Sequence, residues 1–394
     1  MSEHNRIYYL DWLRILTIVV LFYFHSSHIF STLNWFIKND KTNLFFTFYV
    51  GFANFWMMPM FFFISGASSR LSYKIRPTEK YVIERFKRLI IPYFLGVIVL
   101  TPPINYFHEL SIKAYSDSFW NYIPPYIQHI FDLRLVLGGQ VKYFSPLIFN
   151  VMSAHTWYLG YLFIFSLITI PIFKYLSSNS GMQFINRLIT ISYKPGMILL
   201  YFFPLAISNI LLKGLFPRYT DWADFFCWFS IFILGFILFS EKAFENIINK
   251  NVIISFCSGS ISFIIIGLLL QTDTGERWHR FPDYSAGSFF FWTLWTFTTW
   301  SWIVFFTAMG IRFLNFKNKF LEYASEALLP ICLLHLTIIV TVSYFVVKWN
   351  IGMLAKFMII TNLSLIIILL IYELIVKRID IIRTVFGMKG KYTD

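Results

Sequence analysis

Apolar residues in this chain form long runs instead of alternating with polar residues. A helix needs about 20 apolar residues to cross the hydrocarbon core of a bilayer, and about ten runs meet that requirement. This pattern predicts an all-α, polytopic bundle of membrane-spanning helices. No internal repeat and no Gly/Ser-rich linker separates the runs, so we expect a single membrane domain over residues 1–394. The predicted spans lie near 9–30, 44–66, 89–107, 155–173, 195–212, 222–240, 252–270, 287–310, 328–347 and 354–376.

The composition supports a lipid environment. Hydrophobic residues make up 57% of the chain and charged residues only 13%, whereas about 25% of the residues in a soluble domain are charged. The net charge of +13 is explained better by cytoplasmic loops rich in Lys and Arg than by a nucleic-acid partner. About twice as many Lys and Arg residues fall in loops on the side of the N-terminus as on the opposite side. We therefore expect a multi-pass protein of the cell membrane with both termini in the cytoplasm.

The first span carries four polar side chains, Asp11, Arg14, His25 and His28. An ionisable group near the centre of a membrane helix costs at least ~2.5 kcal/mol, so such groups usually face a partner or a cavity. In a helix, Arg14 and His25 lie about three turns and roughly 16 Å apart on the same side. Asp11 and His28 extend this polar stripe. Two structural alternatives remain, because Arg14 would also serve as a snorkelling anchor paired with Asp11 and His25 as a buried helix-to-helix hydrogen bond.

A basic segment precedes the third span. Arg85 and Arg88 are three residues apart, so on a helix both guanidiniums can reach one anion. The planar guanidinium matches phosphate oxygens. The alternative is ordinary positive charge at the cytoplasmic end of a span, in contact with lipid headgroups.

Two further histidines occur in the predicted spans, one at the start of a span and one in its middle. His155 opens the fourth span beside Trp157, and His335 lies within the ninth. Trp157 is also a natural interface anchor, and a histidine at the position of His155 is more often a surface residue than a catalytic one. A buried His335 requires a partner, which would be either structural or functional. No motif for a nucleotide, metal or redox cofactor is found in the sequence.

Together these segments resemble the integral-membrane acyltransferases of family 3, over nearly the whole chain. The matching segments are Leu10-Asp11-Trp12-Leu13-Arg14 with His25, Pro59 to Gly66, Arg85-x-x-Arg88 with Pro92-Tyr93, His155-x-Trp157-Tyr158-Leu159, and Ala324-Ser325 with Leu334-His335. The resemblance implies that acyl-CoA, expected to be acetyl-CoA, donates an acyl group from the cytoplasmic side. The acceptor would be a hydroxyl of a carbohydrate or a related molecule at the outer face.

The resemblance also implies roles for individual residues. His25 would be the catalytic histidine, and Arg14, Arg85 and Arg88 would bind acyl-CoA. Asp11, His28, His155, Trp157 and His335 would support the acceptor or the catalytic group. No bound cofactor and no metal are expected, and membrane lipids surround the protein. The main alternative is a transporter or exporter of a lipid-linked sugar, and another is a noncatalytic scaffold. The sequence does not determine the oligomeric state, the group that stabilises the oxyanion or the role of the loop 108–154.

Overall fold

The structure, a computed structural model, describes residues 7–73, 77–131, 145–146 and 148–390, and their regular elements are helices. Part of the predicted loop 108–154 lies outside the described residues, namely 132–144 and 147. In chain order the helices are α1 Tyr8–His28, α2 Leu44–Tyr73, α3 Thr78–Ser111, α4 Phe119–Phe131, α5 Ile148–Ser153, α6 Trp157–Leu176, α7 Asn179–Ser192, α8 Met197–Leu212, α9 Trp222–Leu238, α10 Ala243–Lys250, α11 Val252–Leu269, α12 Asp273–Arg280, α13 Ala286–Phe313, α14 Lys319–Val346, α15 Met353–Val376 and α16 Asp380–Val385.

The prediction of an all-α, multi-pass membrane protein is confirmed. Within the described residues, 8 helices are long and apolar enough to cross a membrane. Each overlaps a predicted span, and α2, α3 and α14 extend several residues beyond the predicted bounds. These helices are α1, α2, α3, α6, α11, α13, α14 and α15.

Two predicted spans differ from a simple membrane helix. The segment predicted over 195–212 is the shorter α8, which begins as a 3-10 helix directly after Gly196, at φ 80°. The segment predicted over 222–240 is α9, which is followed by α10 across a bend of 115°. Hydropathy detects that both segments are apolar, but it does not detect where the helix axis turns.

The described residues group into two compact units. The first contains residues from Met1–Thr17, Asn54–Val82 and Ile164–Leu321, and the second contains residues from Ile18–Ala53, Ile83–Phe163 and Glu322–Asp394. Helix α1 therefore contributes its first half to the first unit and its second half to the second. The single domain over residues 1–394 stays a prediction.

Small residues allow helices of the first unit to approach closely. A Cβ added to Gly66 of α2 would lie 1.9 Å from the carbonyl oxygen of Phe232, and one added to Gly235 of α9 would lie 2.1 Å from that of Phe63. The two backbones are thus in direct contact, which is the usual role of glycine between membrane helices. A larger residue at either position would separate α2 from α9.

The second unit has its own core, which fixes the loop after α1. Ile37 of this loop is buried with Ile104 of α3 and with Leu336 and Val340 of α14. Close van der Waals packing of this kind is a main contribution to the association of membrane helices. The loop that follows α1 is therefore anchored to α3 and α14.

Candidate active site

Four imidazoles come together in the second unit, and we call this set the histidine cluster: His25, His28, His155 and His335. The ring centroid of His335 lies 4.9 Å from that of His25 and 5.5 Å from that of His155. His25, His28 and His335 are only 3–9% exposed. Two sequence-predicted support residues therefore lie beside the predicted catalytic histidine, although they are far from it in the sequence.

Different elements position these rings. His25 and His28 occupy the last turn of α1, while His335 lies on α14 shortly after Pro330. His155 lies in the turn before α6, and the preceding Ala154 has φ 48°. A non-glycine residue in this region is strained, and such strain persists where surrounding packing enforces it. The backbone is thus held in an uncommon conformation beside His155.

Backbone carbonyls of α14 define the protonation pattern of two rings. His155 Nε2 lies 2.8 Å from the carbonyl oxygen of Leu333, and His335 Nδ1 contacts the carbonyl oxygen of Cys332. A carbonyl only accepts, so each of these ring nitrogens carries a hydrogen and donates it. Burial lowers the pKa of His155 to about 4, which keeps this ring neutral near pH 7. In the neutral tautomer, His335 Nε2 has a lone pair that can accept a hydrogen bond.

Several ring nitrogens of the cluster have no hydrogen-bond partner among the described residues. They are His25 Nδ1, His28 Nδ1, His155 Nδ1 and His335 Nε2, all of which are buried. Most buried polar atoms in proteins are paired, so each exception requires an explanation. A group of such atoms beside one another is suited to binding a polar ligand and to moving a proton.

Trp35 was not predicted from the sequence as part of this site. Its indole stacks on the rings of His28, at 4.1 Å, and His25, at 5.1 Å. A tryptophan just beyond the end of a membrane span is common as an interface anchor. The sequence therefore contains no signal that separates Trp35 from such an anchor.

Arg14 and Asp11 form a pair within the first unit. Arg14 Nη1 lies 2.8 Å from Asp11 Oδ1, and Nη2 donates to the hydroxyl of Ser68. The Arg14 side chain is 26% exposed. The structural alternative raised from the sequence, an arginine paired with Asp11, is thus present, and the predicted contact of Arg14 with acyl-CoA stays a prediction.

The basic segment of α3 departs from regular helical geometry. A π-helical turn runs from Phe86 to Ile90, directly after Arg85. Such turns are frequent at functional sites, and they have more residues per turn than an α-helix. The side-chain directions of Arg85 and Arg88 therefore differ from those assumed for a regular helix. Arg85 is half-buried and Arg88 is exposed.

The remaining predicted support residue, Trp157, begins α6 in the second unit. It is 5% exposed and its ring packs edge-on against Tyr161, with centroids 5.3 Å apart. Within the described residues, no group of three or more His, Cys, Asp or Glu side chains is arranged to hold a metal ion.

Comparison with known proteins places these features in a family. A family model described as an acyltransferase domain matches residues 7–373. The curated relatives include the glucans biosynthesis protein C of Escherichia coli (strain SMS-3-5 / SECEC), 26% identical over 175 residues, and that of strain K12, 25% identical over the same length. Each alignment covers 44% of this chain and 41% of the relative, so less than half of the relatives' length is matched. No solved structure matches this chain significantly. Because the family model covers nearly the whole sequence, the chain belongs to the membrane acyltransferases of family 3.

Proposed function

We propose that this protein transfers an acyl group from acyl-CoA to a hydroxyl of a carbohydrate acceptor, with His25 as the general base. The supporting observation is the histidine cluster, in which the His25 ring is buried beside His335 and has an unpaired Nδ1. A neutral imidazole has a ring nitrogen with a lone pair, which can take the proton from an attacking hydroxyl. Family membership supports the reaction type.

The acceptor is inferred from the relatives. They are named as glucans biosynthesis proteins, and a glucan presents many hydroxyl groups of similar chemistry. We propose a glucan or another surface carbohydrate as the acceptor, reached from the outer face of the cell membrane. Both termini would then lie in the cytoplasm, in agreement with the distribution of Lys and Arg among the loops.

The donor is inferred from the basic residues. By the family resemblance, Arg14, Arg85 and Arg88 bind the phosphates of acyl-CoA, with acetyl-CoA as the expected donor. Guanidiniums pair with phosphate oxygens through charge-assisted hydrogen bonds, which are stronger than neutral ones. Exposed Arg88 and half-buried Arg85 lie on one turn of α3, where a soluble ligand can reach at least the first of them.

The proposed reaction has two steps at the thioester carbon. The acceptor oxygen forms a bond to this carbon while its proton passes to His25, and the carbonyl electrons move to oxygen. The tetrahedral intermediate then breaks its carbon–sulfur bond, and the thiolate of CoA takes the proton from His25. The products are an ester and CoA with a free thiol.

His335 is the proposed positioning residue for His25. Its Nδ1 donates to the carbonyl of Cys332, so its Nε2 lone pair can accept a hydrogen bond from His25 Nδ1–H after a small ring rotation. A base whose second nitrogen is held by a neighbouring acceptor keeps the correct tautomer, as in the triads of hydrolases. His155, whose ring centroid lies 5.5 Å from that of His335, is proposed to support this arrangement by packing, and Asp11 is proposed to support Arg14. The support role of Trp157 stays a prediction.

Mass spectrometry of surface glycans tests the proposed function. Cells that carry the gene should show acyl esters on a glycan that are absent from cells without it, and complementation should restore them. If the same glycan reaches the surface unmodified in both strains, the acyltransferase proposal fails. If the glycan itself disappears from the surface, the exporter alternative is supported instead.

A further inference from the structure

The loop after α1 holds Trp35 in a fixed place. Lys38 Nζ donates to the carbonyl oxygens of His28, at 2.7 Å, and Ser31. The backbone N–H of Asn39 donates to the carbonyl of Ile29 at 3.0 Å. Lys38 thereby satisfies carbonyls at the C-terminal end of α1, where a cation is favourable.

A second anchor comes from α15. Lys356 Nζ lies 3.1 Å from Asn39 Oδ1, and the Lys356 side chain is itself buried. With Ile37 packed into the core of the unit, the chain directly after Trp35 is anchored, and the bonds of Lys38 and Asn39 close the loop back onto the end of α1. The contact of its indole with His25 and His28 is therefore set by the fold.

The indole N–H of Trp35 has no acceptor among the described residues, and its nitrogen is buried. The buried indole of Trp300, by comparison, has such an acceptor, because its Nε1 donates to the carbonyl of Ile198 at 2.8 Å. A tryptophan N–H is a donor only and cannot act as a base. The unpaired N–H of Trp35 therefore marks a place for an acceptor atom beside His25.

Acyl transfer creates a strong acceptor at this place. When a hydroxyl attacks the thioester, the carbonyl oxygen becomes negatively charged and requires hydrogen-bond donors. Neutral His335 carries its hydrogen on Nδ1, which donates to the carbonyl of Cys332. Its Nε2 therefore has a lone pair and no hydrogen, so this ring would repel the oxyanion. We propose that Trp35 is a catalytic residue whose indole N–H donates a hydrogen bond to the thioester carbonyl oxygen as it becomes an oxyanion. This inference rests on the proposed function.

The substitution Trp35→Phe tests this role, because it retains an aromatic ring and removes the donor. Removal of one oxyanion donor typically lowers kcat by about 100- to 1000-fold. We expect a loss of this size for the purified protein with acetyl-CoA and a carbohydrate acceptor. The KM for acetyl-CoA should remain within about twofold, because uniform substrate binding is not affected. The matched control is Trp120→Phe, since Trp120 lies on α4 of the same unit and is 79% exposed.

A second variant distinguishes the lost hydrogen bond from altered packing. Replacement of Trp35 by 3-benzothienylalanine keeps the size and stacking of the indole but has sulfur in place of N–H. The same fall in kcat for this variant supports the inference. If Trp35→Phe does not fold, the benzothienylalanine variant alone decides the role of the N–H.

The outcomes separate this inference from the proposed function. A wild-type kcat for the benzothienylalanine variant, or a raised KM for the acceptor at unchanged kcat, would overturn the role of Trp35 while acyl transfer stands. Absence of transfer by the wild-type protein, with transfer also absent in cells, would overturn the proposed function itself.

Discussion

At the scale of single residues, the proposed chemistry depends on how His25 is oriented. The candidate acceptor for its Nδ1–H is Nε2 of His335, whose ring centroid lies 4.9 Å away. The tautomer of His335 is fixed by the carbonyl of Cys332. His335 thus links the backbone of α14 to the proposed base.

The substitution His335→Leu should therefore impair catalysis more than binding. Without an acceptor, His25 adopts the wrong tautomer in part of the molecules, and general base catalysis typically contributes about 100-fold or more. We expect kcat to fall by roughly this factor, with little change in the KM for acetyl-CoA. The variant His335→Gln retains an acceptor oxygen and should recover part of the activity.

The control for this measurement is His129→Leu, because His129 is exposed on α4 of the same unit. Equal kcat values for His335→Leu, His129→Leu and the wild type would exclude a positioning role for His335.

His155 should make the stability of the protein depend on pH. Its folded-state pKa of about 4 lies below the ordinary value of 6.5, because burial opposes the charge. Its contribution is therefore complete above pH 6.5 and is lost as the pH falls towards 4. From pH 7 to pH 5 the loss in free energy of unfolding amounts to about 2 kcal/mol.

Unfolding in detergent micelles at pH 7 and pH 5 measures this effect. The variant His155→Gln retains a donor for the Leu333 carbonyl and does not titrate, so it should lose about 2 kcal/mol less than the wild type over this range. Identical pH dependence of the two proteins would show that His155 is not buried as a neutral ring.

Helix spacing made His25 a site candidate and the family resemblance implied its catalytic role, but the sequence could not predict the whole histidine cluster. His155 and His335 were recognised as candidates, yet only the packing of α14 against the turn before α6 shows that their rings meet. Trp35 was missed because an unpaired indole N–H is a property of the folded environment. Residue type and spacing contain no information about it.

At the scale of elements, apolar run length predicted the long helices well and their irregularities poorly. Helix α3 contains two π-helical turns, Phe86–Ile90 and Gly96–Leu100. They precede Pro92 and Pro102, respectively. Because proline has no N–H, the carbonyl four residues earlier loses its usual donor and the helix must adjust locally. The position of a proline is evident from the sequence, whereas the local helix geometry that results from it depends on tertiary packing.

The C-terminal segment covers the first of these turns. Gly387 has φ 72°, and a Cβ there would lie 2.8 Å from Leu329, 2.9 Å from Pro92 and 3.0 Å from the carbonyl oxygen of Arg88. Arg383 of α16 fixes the same segment through Glu326, at 3.1 Å, and the carbonyl of Lys389. The backbone after α16 thus lies directly on the turn that carries Arg88.

The substitution Gly387→Ala should destabilise this contact. A left-handed conformation costs a non-glycine residue about 1–2 kcal/mol, and the added methyl group also clashes. We expect a lower unfolding temperature in detergent and faster proteolysis after residue 380. Gly352→Ala is the matched control, since a Cβ at Gly352 meets nothing within 4 Å. Equal proteolysis of the two variants would contradict the close packing of Gly387.

At the scale of the whole molecule, the positive charge is proposed to serve both orientation and donor binding. The net charge of +13 is spread over many loops, so charge alone should attract any polyanion weakly. Specific binding of CoA requires particular guanidiniums. The double variant Arg85→Ala/Arg88→Ala should therefore weaken binding of CoA to the purified protein by at least about tenfold, since hydrogen bonds to charged groups contribute about 1.5–3 kcal/mol each.

The control removes the same charge elsewhere. Arg187→Ala/Lys194→Ala changes two exposed cations that we also predict to face the cytoplasm. If both double variants weaken CoA binding equally, long-range charge explains the affinity and Arg85 and Arg88 have no specific role.

The proposed acyl transfer depends most directly on His25. The decisive measurement is release of the CoA thiol from acetyl-CoA, with a glucan acceptor, by the purified protein in lipid nanodiscs. We predict that His25→Asn abolishes acceptor-dependent release while its unfolding temperature and CoA affinity stay close to those of the wild type, and that His129→Asn retains full activity. Acceptor-dependent release by His25→Asn at the wild-type rate would contradict the proposed mechanism.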